Sequence, residues 1–213
     1  MNDSERLFAS VIAGRVGVIT VAPDGTISDG VAEGLTVLSG AFNPLHRGHE
    51  GMLTAATGIT GSAGAFELSI VNVDKPELPE DEVRERISQF AGCYMALISR
   101  APTFLEKSRI MPGASFVIGY DTAVRLFDDR YYPAYQQDTD PENTGSATLA
   151  AMSEIRRNDC GFIVAGRVTE DGFKTVQDLV IPDGYRAMLR GIPAEVFRED
   201  ISSTQIRRTS GAA

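Results

Sequence analysis

Cysteine is almost missing: Cys93 and Cys160 stand far apart in 213 residues and outside any C-x-x-C pair. That spacing supplies neither a disulfide framework nor a metal knuckle, and it fits reduced thiols in a cytoplasm. Long hydrophobic runs are missing too. None approaches the roughly 18 residues that a membrane span needs, and the opening Met-Asn-Asp-Ser-Glu-Arg lacks the basic start of a secretory leader. The expectation is a cytoplasmic chain with no membrane partner. Positive charge is in deficit, with 20 Lys and Arg against 29 Asp and Glu and a net charge of −9. Such a field repels nucleic acid, whereas a small polyanion needs only a local basic patch.

What is present is ordinary for a globular domain: 43% hydrophobic and 23% charged residues, enough for one well-formed core. Residues 4–13 have helical spacing, Arg15 to Ala22 alternates towards a strand, and Pro23-Asp24-Gly25 is a turn into Thr26-Ile27. Residues 1–34 therefore read as a small β appendage on a main domain spanning 35–213. From Leu35 onward, strand, loop and helix alternate. Strands are predicted at Leu35–Leu38, Phe66–Val73, Tyr94–Ile98, Ser115–Gly119, Gly161–Gly166 and Ala194–Phe197. Helices are predicted at Glu50–Ala56, Glu80–Ala91, Thr103–Ile110, Thr122–Asp129, Ser146–Asn158 and Tyr185–Arg190, with Leu149, Met152 and Ile155 on one face of the fifth. Gly58, Gly61 and Gly64 follow a helix and precede a strand, the wrong order for a phosphate loop, so 57–65 reads as a flexible connector. Residues 170–181 read as an irregular hairpin. The fold class expected is α/β, a Rossmann-like parallel sheet flanked by helices.

Histidine is as scarce as cysteine, and both copies fall in one stretch, Ser39-Gly-Ala-Phe-Asn-Pro-Leu-His46-Arg-Gly-His49. It lies between a strand and a helix, where unpaired N–H groups and the positive end of the helix dipole favour an anion, and Gly48 allows close approach to the backbone. Two histidines three apart can also ligate a metal. Neither cysteine nor a third histidine completes such a set, which leaves zinc with a distant carboxylate as the alternative.

Gly40, Phe42, Pro44, His46, Gly48 and His49 together resemble the G-x-F-x-P-x-H-x-G-H signature of the nucleotidylyltransferase superfamily. A second stretch, Ile201-Ser202-Ser203-Thr204-Gln205-Ile206-Arg207, is similar to that family's I-S-S-T-x-I-R. Ser202 and Gln205 are also a capping box. Arg207 and Arg208 near a helix start oppose the dipole unless an anion is held there. The resemblance spans about residues 35–208 and implies transfer of AMP from ATP, or of a nucleotide from CTP, to a phosphate acceptor. It implies that His46, His49 and Arg207 act on the triphosphate and that Mg²⁺ bridges the phosphates. It further implies that Gly40, Phe42, Asn43, Gly48, Ser202, Ser203 and Thr204 line the nucleotide.

Three more positions take their meaning from the same resemblance. Lys75 follows the second strand, where open α/β sheets bind ligands, and in the family a lysine there approaches the phosphates or the acceptor. Gly119-Tyr120-Asp121 is similar to a G-x-D of the adenylyltransferases that make dinucleotide cofactors, its aspartate facing the nucleotide; Asp121 also reads as a helix N-cap. Relatives that bind nicotinate or nicotinamide mononucleotide place a tryptophan on the pyridine ring. This chain has no Trp, so Tyr131 or Tyr132, in a loop read as mobile over 130–143, would stack there instead. The resemblance thus points to NAD-type dinucleotide synthesis. Cytidylyl transfer, adenylyl transfer to an acceptor such as phosphopantetheine, and non-catalytic nucleotide binding are the alternatives. Self-association is left open.

Overall fold

The computed structural model describes residues 2–132 and 146–198, and shows an α/β architecture with a mostly parallel eight-stranded sheet covered by helices on both faces. Its parallel strands are β3 (Thr36–Ser39), β4 (Gly64–Ser69), β5 (Ala96–Ser99), β6 (Ser115–Gly119), β7 (Gly161–Ala165) and β10 (Leu189–Gly191). They lie in the order β10-β7-β6-β3-β4-β5. Continuous apolar stretches such as Ser-Phe-Val-Ile-Gly in β6 suit strands buried on both faces. The hairpin β1 (Val18–Val21) and β2 (Ile27–Asp29) adds antiparallel to β5 and forms one edge. Strands β8 (Arg167–Thr169) and β9 (Gly172–Lys174) make a separate small hairpin.

Alternation sorts the core into two layers. Val37, Ala65, Leu97, Phe116, Ile118, Phe162 and Val164 face α4 (Phe104–Ile110), α5 (Tyr120–Arg125) and α6 (Ser146–Arg157). Leu38, Phe66, Val117 and Ile163 face α2 (Arg47–Thr60), with α3 (Glu80–Ser88) beside it. Helix α1 (Asp3–Ile12) sets Phe8 and Val11 against Ile19, Leu68, Ile98 and Val83. Among the described residues no helix is long and apolar enough to cross a membrane.

Strand order reverses between β3 and β6, with the later strands placed outward on opposite sides of the pair. In open α/β sheets the crevice beyond the carboxyl ends at such a switch point is where ligands bind. Both the β3–α2 loop and the turn at Gly119 open there.

Several predicted boundaries move, each for a local reason. α2 runs on to Thr60 and stops at Gly61, whose φ of +72° needs no Cβ strain, so the 57–65 stretch is the end of α2, a short turn and the start of β4 rather than a flexible connector. β4 ends at Ser69, not Val73, because the Ser69 hydroxyl donates to the Val71 and Ala101 carbonyls and turns the chain aside. Leu149 is 39% exposed; Ala147, Ala151, Met152 and Ile155 form the buried face of α6. Tyr185–Arg190 is no helix but a 3₁₀ turn, Arg186–Met188, leading into β10. Ala194–Phe197 is a turn, not a strand, since the Val196 and Phe197 amides both donate to the Pro193 carbonyl.

Helix α4 is fixed by a reciprocal cap: the Thr103 hydroxyl accepts the Glu106 N–H, and the Glu106 carboxylate accepts the Thr103 N–H. Thr103→Ala is expected to lower stability by about 1 kcal/mol. Urea unfolding with an unchanged midpoint would show the cap to be idle.

Candidate active site at the switch point

His46 is the N-cap of α2, and its Nδ1 accepts the Gly48 N–H at 3.1 Å. That bond holds Nδ1 unprotonated and places the ring proton of the neutral form on Nε2, which becomes a donor. Gly48 is buried, and its N–H serves this cap. His49 stacks on His46 with ring centroids 3.8 Å apart and 25° between planes. Burial, then the neighbouring His46, push its pKa down to about 4, so His49 is neutral at physiological pH. Its Nδ1 is buried and has no hydrogen-bond partner. Face-to-face rings do not converge on one point, and no three His, Cys, Asp or Glu side chains among the described residues gather as metal ligands. The zinc alternative finds no support in that geometry.

The loop between β3 and α2 has two sides. Phe42, at φ +44° and 1% exposed, turns its ring edge-on to His49, Phe66 and Phe90. A Cβ at residue 40 would lie 2.8 Å from that ring, so Gly40 is dictated by Phe42. Phe42 thus supports the histidines from below. Ser39, Gly40, Ala41 and Asn43 line a cleft of about 480 Å³ on the α4 side. From α3, Arg86 donates to the Ala41 carbonyl at 2.9 Å and pairs with Glu82. Gln89 donates to the Phe42 carbonyl at 2.9 Å and accepts the Leu45 N–H at 2.7 Å. These clamps were not foreseen, because on a polar helix such residues read as solvated surface.

The cleft brings Lys75 and Arg125, both exposed, to its rim. Neither has an ion-pair partner among the described residues. Lys75 sits in the loop after β4 rather than at the strand's end. That loop is tied down by Arg100, which donates to the Ile12 carbonyl of α1 at 2.9 Å and grips Glu77 at 2.6 and 3.0 Å. Tyr131 is half-buried on the opposite wall and donates to Asp74 at 3.3 Å. Tyr132 also touches the cleft but is 3% exposed, its hydroxyl donating to the Leu126 carbonyl at 2.8 Å, with burial pushing its pKa far up. Of the two tyrosines only Tyr131 has a face to offer.

At the floor lies an ion pair that went unforeseen. Lys107 of α4 donates to both oxygens of Glu67 at 2.7 and 2.8 Å, and the Ser99 hydroxyl donates to the same carboxylate at 2.5 Å. Glu67 is 0% and Lys107 4% exposed. The signal was there, since a glutamate inside Ala-Phe-Glu-Leu-Ser-Ile demands a buried partner.

Gly119 is the N-cap of α5 and Asp121 lies in its first turn, so Asp121 is not the cap; its carboxylate pairs with Arg167 beyond β7. Ser202, Ser203, Thr204 and Arg207 lie outside the described residues, as does the greater part of the loop read over 130–143. Phe197, shortly before the second motif, has its ring over Gly51 of α2. No protein-family model matches the chain, and none of the curated proteins compared with it does.

Proposed function

We propose that the protein is a nucleotidylyltransferase that moves AMP from ATP to a phosphate acceptor, nicotinamide or nicotinate mononucleotide, with release of pyrophosphate. The observation that carries this reading is the two-sided β3–α2 loop at the switch point. It presents two stacked histidines at a helix start on one side and lines a cation-rimmed cleft on the other. Such an arrangement suits two phosphate-bearing substrates meeting across one loop.

In this reading the acceptor phosphate attacks the α-phosphorus in line and pyrophosphate leaves, without a covalent intermediate. Catalysis is then positioning and charge stabilisation. His46 and His49 donate N–H groups to triphosphate oxygens as charge builds on the leaving group. His49, neutral at physiological pH, does so as an uncharged donor. Ser202, Ser203, Thr204 and Arg207 would hold the β- and γ-phosphates, with the guanidinium in a charge-assisted, fork-like pairing. Lys75 and Arg125 would receive the acceptor phosphate. The described residues form no protein cage for a cation; Mg²⁺, when bound, would come with the triphosphate and shield its charge.

The test is to incubate the protein with each nucleoside triphosphate and a panel of phosphate acceptors and to follow pyrophosphate. Release that needs ATP and a pyridine mononucleotide supports the proposal. Release with CTP or another acceptor would move the protein to a sister activity, and binding without release would make it a nucleotide-binding regulator. Tyr131→Ala is expected to weaken mononucleotide binding by roughly threefold to tenfold, the worth of one aromatic stack. An unchanged titration would remove Tyr131 from the ring site.

A further inference from the structure

Among the described residues the fold leaves three donors of the cleft lining over: one N–H of Lys107, the Ser39 hydroxyl and the buried Arg86 Nε–H. Lys107 has three N–H donors and aims its ammonium at the two Glu67 oxygens, which leaves one donor with no partner among the described residues. Ser39, opposite Glu67 in the strand register, has a buried hydroxyl with no hydrogen-bond partner. Both residues line the cleft. Paired residues of a parallel sheet share a face, so the Ser39 hydroxyl, Glu67 and Lys107 lie together on the α4 side. A buried hydroxyl and a buried ammonium hydrogen, each unused by the fold, call for an oxygen atom from outside.

The charge of the floor limits what that oxygen can belong to. Lys107 and Glu67 cancel, so the floor carries donors but no net charge. A ligand carboxylate placed there would bring a second anion beside Glu67, with the Lys107 ammonium committed to Glu67 and the Arg86 guanidinium on the cleft wall committed to Glu82, in a site where like charges are poorly screened. A neutral carboxamide meets the same donors without that repulsion. The rim differs, since Lys75 and Arg125 are exposed and suited to a phosphate. We propose that Glu67, Lys107 and Ser39 form a specificity site for a neutral carboxamide and reject the matching carboxylate. This rests on the acceptor reading above and selects nicotinamide mononucleotide over nicotinate mononucleotide.

Calorimetric titration of the full chain with each of the two mononucleotides tests it. The amide is expected to bind at least about tenfold more tightly than the acid. Glu67→Gln, which leaves the floor cationic, should shrink that ratio by roughly tenfold or invert it. Ser39→Ala removes a hydroxyl on which the fold does not rely, and should weaken the amide by roughly threefold to tenfold; it keeps the test intact should Glu67→Gln not fold. Equal affinity for the two ligands, or a ratio untouched by Glu67→Gln, overturns the specificity site while the acceptor reading stands. Binding of neither mononucleotide, with pyrophosphate released on another acceptor, overturns both.

Discussion

His49→Ala is expected to lower turnover by more than about a hundredfold while leaving the circular dichroism spectrum near that of the wild type. The ring is half-buried between His46 and Phe42, and its buried Nδ1 has no hydrogen-bond partner among the described residues. What the substitution removes is a neutral donor at a helix start, where charge would grow in the transition state, and the plate that keeps His46 in its capping pose. His46→Ala should be milder in rate but harsher on the start of α2, because it alone accepts the Gly48 N–H. A folded His49→Ala protein within about twofold of wild-type turnover would sink the role. The low pKa adds a second signature. The folded group titrates near 4 and the unfolded one near 6.5, so between those values the unfolded chain binds the extra proton and stability falls as pH drops. Melting temperature should therefore decline more steeply from pH 6.5 to 4 in the wild type than in His49→Ala; parallel slopes would contradict the depressed pKa.

Lys107→Met is expected to cost about 3 to 5 kcal/mol of unfolding free energy, a large part of the 5 to 15 kcal/mol that holds a typical domain together. The loss comes from what remains. Glu67 is fully buried, and without the ammonium its carboxylate keeps, among the described residues, only the Ser99 hydroxyl as a side-chain donor. Replacing both partners, Glu67→Leu with Lys107→Met, should be less damaging than Lys107→Met alone, since no buried charge is stranded. Urea titrations of the single and double variants decide the matter. A single variant within about 1 kcal/mol of wild type would mean that water already reaches the pair.

The parallel sheet and the histidine loop were legible because their signals are local. β6 is an unbroken apolar run, and the loop from Ser39 to His49 announces its turn with glycine and proline, although α2 starts at Arg47 and not at Glu50 because His46 serves as its cap. The cleft was legible only in fragments. Lys75 was assigned to a strand end, yet it stands in a loop whose course depends on Arg100 and Glu77 meeting across 23 residues. Glu67 and Lys107 are 40 residues apart, and nothing short of the strand register brings them together. Tyr131 and Tyr132 are alike in sequence; which of them is core is decided by the 3₁₀ turn Asp129–Tyr131 and the Leu126 carbonyl. β10 has three residues, too few for a period to show, and took its identity from β7.

The pairing of β1 with β5 has a consequence for time. β1 is made early, but its sheet partner at Ala96–Ser99 follows more than 70 residues later. At the roughly 5 to 20 residues per second of synthesis, the first helix and hairpin wait several seconds for the strand they join. During that wait Phe8, Val11 and Ile19 lack the cover of Leu68, Val83 and Ile98. The first helix and hairpin are therefore held back to the point where β5 appears, and a partner fused ahead of them would stand closest to the apolar surface exposed in that interval.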